Sequence, residues 1–345
     1  MLQAYQIIKA IRENKYVDAK PKLFATFTTE WLRARQSTMK PGTYRSYKSA
    51  LDKWLTPEFG DFEMNDITRP MVKAFAYKLL DQDLSGKSVQ NFLRLLHSLF
   101  EEGIDQEVCA TNPAHRLKIK LPDDSEARVV PSKADLRATL RQLGKTPVLQ
   151  ALLATAAMTG CRRGELCGLL WSEIDWRTRT IRIERSLVRV HQSRAGSFKN
   201  LEWVCSMAFA LAPPKSKKGR RSISMPKELE TLLQHLRAMS DEKNPFVFQG
   251  TAGPIDMDEI ADPLHEAQDR AGVKRFGLHG TRHFFASALH DAGASLAQAR
   301  DALGHSSINM TGHYTHALEK GREHVESVGR EFSGVSNLLP GGNPG

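Results

Sequence analysis

The chain has 345 residues, 41% hydrophobic and 26% charged, with a formal net charge of +10. That length accommodates two domains with separate cores, and the charge favours a polyanionic partner such as nucleic acid over a neutral one. No apolar run reaches the ~20 residues of a membrane span, no signal-peptide core precedes a cleavage site, and the four cysteines form no C-x-x-C pair, which points to a cytoplasmic protein with reduced thiols.

Residues 1–22 read as one helix followed by a Lys/Pro break. Residues 23–115 read as an all-helical unit. Phe27, Trp31 and Leu32 mark a short first helix. After Pro41-Gly42, the residues Tyr44, Tyr47, Leu51, Trp54 and Leu55 recur at helical spacing. Thr68 before Pro70 starts another helix, with Met71, Phe75 and Leu79 on one face. Ser85-Gly86 opens the next, whose wide apolar stripe runs from Val89 to Phe100, and Gly103 is expected to end it. Thr43, Arg45, Ser46 and Lys48 crowd one turn near a helix start. A solvated face explains each of them singly. Together, hydroxyls and cations at such a place suit phosphate contacts.

Residues 116–131 are polar, bounded by proline and without apolar periodicity, and read as a linker. A second domain is expected over 132–333, opened by the capping box of Ser132 and Asp135. An apolar helix over 146–158 is interrupted by Thr159-Gly160, and helical patterning resumes over 162–170. Residues 171–176 read as a turn and 180–184 as a strand. From 186 to 225, eight Lys/Arg stand against one acid, Glu202. This reads as a basic hairpin with a long connection, closing on a strand over 221–225. Such a ribbon can touch a DNA backbone, with Lys215 and Arg221 as contact candidates. Residues 194–211 carry no legible pattern. Helices are expected from Pro226 to 239, over 256–271, 279–292, 296–303 and 317–328, with a short strand at 246–248. The tail from 334 to 345 reads as disordered. The whole is mainly α with a small antiparallel β-sheet.

The chemistry concentrates between 278 and 316, which holds six of the twelve histidines and Tyr314. His279 and Arg282 stand one helical turn apart and can together hold a phosphate oxygen and move one proton. His279 and His283 also have zinc-ligand spacing. The glutamate of H-E-x-x-H is absent, however, and Arg282 would repel a divalent ion, so no metal and no cofactor is expected. Gly304 is a C-cap candidate that lets His305 emerge at a helix end. Upstream, Arg162 and Glu165 are spaced to pair.

In order along the chain stand T-G-x-R-x-x-E-L at 159–166, K-x-x-x-R-x-I at 217–223, H-x-x-R at 279–282, L-G-H at 303–305 and Y-T-H at 314–316. This ordered set resembles the signature of the tyrosine recombinases of the phage-integrase family. Residues 23–115 likewise resemble that family's helical, SAM-like core-binding domain.

The resemblance implies a site-specific recombinase that cuts and rejoins DNA without metal or ATP. Tyr314 would attack the phosphodiester and form a 3′-phosphotyrosyl link. Arg162 and Arg282 would clamp the non-bridging oxygens, His279 would take the tyrosine proton, Lys217 would protonate the leaving 5′-oxygen and His305 would brace the phosphate. Glu165 would support Arg162. Lys215, on the same hairpin face as Lys217, is the reserve candidate for the acid.

The implied partners are double-stranded DNA at core sites, three further protomers in a tetramer, and accessory DNA-bending or excision factors. The connection over 187–214 is longer than the family pattern needs. About 22 residues precede the core-binding unit, fewer than an arm-site domain requires, which leaves three explanations: core sites alone, truncation, or an upstream start. Two rivals stand beside the recombinase: a catalytically idle DNA-binding relic, and a topoisomerase, which shares this chemistry.

Overall fold

The computed structural model describes residues 20–122, 129–190, 198, 201–203, 209–214, 219–251, 253–304, 318–330 and 332–333. By internal contacts the chain divides into two compact units, with the break between residues 122 and 129. Among the described residues no helix is long and apolar enough to cross a membrane.

The first unit is helical: α1 Phe24–Arg35, α2 Pro41–Ala50, α3 Thr56–Phe59, α4 Arg69–Asp81 and α5 Gly86–Asp105, with a π-helical turn Leu51–Leu55 joining α2 to α3. Its centre is aromatic. Phe24 meets Phe59 at 5.8 Å and Phe100 at 6.4 Å, and Phe59 meets Phe75 at 5.1 Å. All four rings are buried, and each is worth about 1.5–3 kcal/mol of burial.

Gly103 does not end α5, as its sequence position suggests. The helix runs on to Asp105. A Cβ at Gly103 would come within 2.9 Å of the Cys109 sulfur and 3.0 Å of the Met64 methyl, so the glycine serves a close approach. Cys109, Cys161 and Cys167 are buried and free. Burial pushes the Cys109 thiol up to about 11 and that of Cys167 up to about 12.

The second unit packs helices around α7, Pro147–Thr159. This helix is apolar on every side and nearly every residue is buried, so it has no solvent face to pattern. Around it lie α6 Lys133–Gln142, α9 Lys227–Ala238, α11 Leu278–Asp291 and α13 Leu318–Arg330. The predicted capping box is present: the Ser132 hydroxyl accepts from the Asp135 amide at 3.1 Å, and the Ser132 amide donates back to the carboxylate at 2.8 Å. Helical patterning after Gly160 resumes only over α8, Arg163–Cys167.

The basic region is more elaborate than a hairpin. β1 Ile174–Asp175, β2 Thr180–Ile183 and β6 Arg221–Ser224 form one antiparallel sheet in the order β1-β2-β6. Between β2 and β6 the chain builds a second sheet from β3 Ser186–Arg189, β4 Glu202–Trp203 and β5 Phe209–Ala212, in the order β3-β5-β4. The stretch that shows no sequence pattern thus contributes two strands. A small β7–β8 hairpin, Gln249–Gly250 with Gly253–Pro254, follows the buried run Phe246 to Phe248.

The helix expected over 256–271 starts later, as α10 Ala261–Ala271. Asp256 is diverted to Arg189, which donates to both its oxygens at 2.7 and 2.6 Å. The last active element before the undescribed 305–317 segment is α12, Leu296–Leu303.

Candidate active site

Four pieces of backbone meet in the second unit: the turn ending α7, the start of β6, the first turn of α11 and the C-terminus of α12. Gly160 makes this meeting possible. It caps α7 in the left-handed region at φ 61°, and a Cβ there would stand 2.6 Å from the Phe285 ring and 2.7 Å from a Leu303 methyl.

The last turn of α12 gathers the cations. A helix ends with carbonyls that have no partner inside it, at the negative end of its dipole. Here three consecutive carbonyls each accept from a different arginine. Arg221 Nε donates to Ala302 at 2.9 Å, Arg282 Nη2 to Leu303 at 2.5 Å, and Arg162 Nη2 to Gly304 at 3.3 Å. Gly304, left-handed at φ 64°, turns the chain so that its own carbonyl can join the row. Arg282 also donates to the Gly160 carbonyl at 2.6 Å, tying α11 to the turn after α7.

One carboxylate sits among these cations. Glu165 Oε1 accepts from Arg162 Nη1 at 2.7 Å, and Oε2 accepts from Arg221 Nη2 at 2.8 Å and from the Arg162 amide at 2.9 Å. Burial alone would raise this carboxyl. The bonds from Arg221 and Arg162 outweigh burial and hold it below the ordinary carboxylate range. Arg221 responds in kind, raised despite its burial by the neighbouring Cys161 and Glu165.

Arg282 has no carboxylate of its own. Burial, with repulsion from Arg162 and Arg221, pushes it down to about 10, which still leaves it charged at neutral pH. Three guanidiniums therefore surround one carboxylate, and the excess positive charge suits an anion.

Arg162, Arg163, His265, His279 and Arg282 help line a cavity of about 570 Å³. Arg162 keeps 36% of its side chain exposed, whereas Glu165 keeps 3% and Arg221 6%. His279 is exposed in the first turn of α11, its ring edge-on to His283 at 5.0 Å. The arrangement can bind a tetrahedral anion on Arg162 and Arg282 with an imidazole at the cavity wall.

The structure brings together four of the residues expected in the site: Arg162, Glu165, His279 and Arg282. Lys215, Lys217, His305 and Tyr314 lie outside the described residues. Thr43 and Arg45 are exposed on α2 of the first unit, and Lys48, 37% exposed, pairs with Asp52 one turn on.

Arg221 departs from its expected place on a DNA-facing ribbon. Its guanidinium is turned inward onto Glu165, Ala302 and the Gly219 carbonyl. The reason is register. Arg221 pairs with Ile183, and Ile223 with Ile181, so the arginine shares the buried face of the sheet with three isoleucines. The alternation Arg221-Ser222-Ile223-Ser224 carried that signal. The carbonyl row of α12, and the places of Arg163 and His265 in the cavity wall, have no counterpart in the sequence motifs.

Comparison with known proteins finds two family matches. The model described as "Phage integrase family" matches residues 141–320, and that described as "Phage integrase, N-terminal SAM-like domain" matches residues 23–80. A "Tyrosine recombinase XerC-like" protein of Caldanaerobacter subterraneus subsp. tengcongensis is 25% identical over 340 residues, covering 91% of this chain and 84% of that one.

Among solved structures, the Tn1549 transposon integrase in complex with transposon right end DNA superposes with a TM-score of 0.68 at 20% identity, over 85% of this chain and 96% of that chain. A lambda integrase tetramer bound to a Holliday junction gives 0.62 at 17% identity, over 87% and 78%.

Proposed function

The chain belongs to the phage integrase family, the tyrosine recombinases, an enzyme class that cleaves and rejoins DNA, and from that premise we propose that it acts through a 3′-phosphotyrosyl intermediate on the DNA of a prophage or other mobile element. The observation that carries the proposal is the pairing of Arg162 and Arg282 on adjacent carbonyls of one helix end, with His279 lining the same cavity.

In this reading the scissile phosphate sits on the two arginines. Tyr314 Oη attacks phosphorus and its proton passes to His279. The P–O5′ bond breaks as Lys217 supplies a proton to the departing 5′-oxygen. The products are a tyrosyl phosphodiester at the 3′ side and a free 5′-hydroxyl. Rejoining runs the same transfers backwards, with a 5′-hydroxyl as nucleophile, so the bond energy is kept and no nucleotide is consumed. His305 donates to a phosphate oxygen. The two arginines stabilise the charge that builds on the equatorial oxygens.

Glu165 and Arg221 hold the geometry from behind. DNA engages the basic surface, including Thr43 and Arg45, and four protomers assemble on two duplexes; accessory DNA-bending or excision proteins would act on the same assembly. The lambda integrase tetramer on a Holliday junction supports that assembly by analogy of fold.

A suicide substrate tests the mechanism. Purified protein with nicked DNA from the flanks of its own element should yield a covalent protein–DNA adduct that Tyr314→Phe abolishes. An adduct that survives this substitution would place the nucleophile on another residue, and no adduct with any flanking repeat removes the reading in favour of the DNA-binding relic. Relaxation of supercoiled plasmid without sequence preference would favour a topoisomerase.

A further inference from the structure

Away from the arginine cluster, the first unit holds a second group of side chains with convergent lone pairs. His97 and Glu101 lie one turn apart on α5, and His115 approaches them from the turn that follows the helix. His97 Nδ1 stands 3.6 Å from Glu101 Oε1, and His115 Nδ1 stands 3.9 Å from the same oxygen. The imidazole centroids are 5.7 Å apart. All three ligand atoms lie within 4.8 Å of one another.

We propose that His97, Glu101 and His115 form a zinc-binding site. Tetrahedral zinc at its usual bond lengths holds its ligand atoms about 3.4 Å apart. The two distances to the Glu101 oxygen therefore need to contract by only a few tenths of an ångström, and no pair of ligand atoms, all within 4.8 Å, by more than about 1.4 Å. Each side chain is 41–52% exposed and can rotate to do so. Two imidazoles and one carboxylate are a donor set that suits zinc and its neighbours, whereas magnesium and calcium require oxygen ligands.

Two further observations point to the same place. Asn112 Nδ2 donates to Glu101 Oε1 at 2.6 Å and to the His97 carbonyl at 3.1 Å, and lies 3.2 Å from His97 Nδ1. Its orientation is fixed, because Oδ1 accepts from the Ala114 amide at 2.9 Å. A single amide group thus takes the position from which a cation would serve these acceptors.

The backbone around His115 is also held. Its carbonyl accepts from Arg69 Nη2 at 2.6 Å, and Arg116 beside it is left-handed at φ 46° without being glycine. These features present His115 back toward α5. A bound ion would staple the end of α5 to the turn over 112–116 and fix the last segment of the first unit.

The test uses the full chain, stripped with chelator and titrated with zinc chloride by calorimetry and by thermal melting. Wild type should bind one equivalent through this site and melt higher with zinc than without, and magnesium should do neither. His97→Ala with His115→Ala should lose that equivalent and the zinc-dependent rise in Tm, while melting like wild type in the absence of metal. Glu101→Gln, which preserves shape, should weaken binding about tenfold or more. Asn112→Ala should bind as well as wild type or better, since it removes the competing donor. The proposal falls if the double variant binds zinc with wild-type stoichiometry and affinity, or if wild type takes up none at about 100 µM zinc.

Discussion

Arg221 donates to Glu165 at 2.8 Å and thereby holds the same carboxylate that orients Arg162. One buried ion pair thus connects β6 to α8. Through the Ala302 carbonyl, Arg221 also reaches the end of α12. Its removal is expected to loosen Arg162 without touching the DNA surface. Arg221→Lys should lower single-turnover cleavage about 10–100-fold, the usual cost of losing a partner behind a reacting group. DNA affinity in a gel shift should stay near wild type. Equal losses in affinity and cleavage would place Arg221 on the DNA.

Glu165 sets a pH dependence. Its folded pKa is depressed, so its contribution to stability is present above the ordinary carboxylate range and is lost as pH falls through the folded value. Glu165→Gln leaves cations buried without their partner, and should cost about 3–5 kcal/mol near neutral pH. In urea melts the gap between wild type and variant should stay constant down to the ordinary carboxylate range and narrow only below it. A gap that closes from pH 7 toward 6 would contradict the assignment.

Gly160→Ala separates strain from crowding. The substitution meets a left-handed φ of 61° and two neighbours closer than 3 Å. Gly272→Ala meets the same backbone region, at φ 66°, with nothing within 4 Å. The Gly272 variant should lose about 1–2 kcal/mol. The Gly160 variant should lose a further ~1–3 kcal/mol from overpacking, and cleavage with it, because Phe285 and Leu303 must move. Similar losses at both positions would mean that the close approach contributes nothing.

Arg45 is exposed on α2 and tests the role of the first unit. Arg45→Ala should weaken DNA binding and reduce the slope of log affinity against log salt by about one. Cleavage within a preformed complex should be unchanged. An unaltered salt slope would assign this face to solvent.

The tertiary structure confirms most helices because their apolar spacing reports which face is buried. α1, α4 and α12 stand where Trp31, Phe75 and Leu303 placed them. Two of the failures share a cause. Gly103 and Asp256 carry local signals that a distant contact overrides, from Met64 in one case and from Arg189 in the other. The strands β4 and β5 escaped notice because the connection they sit in has no turn signal or alternation to mark them.

By itself the sequence determined the ordered motif set, the two-part layout it implies, and the pairing of Arg162 with Glu165, which needs only three residues of separation, from the extended N-cap to the third position of α8. Only the tertiary structure decided what surrounds that pair. Arg221 lies 56 residues from Glu165, and Gly304 lies 142 from Arg162. Contacts at such separations follow from strand register and from where one helix stops. Apart from that ion pair, the arginines' partners on α12 are backbone carbonyls, which every residue carries, so no side-chain motif can announce them. The free valences of α12's last turn, and not any residue type in it, gather the three arginines.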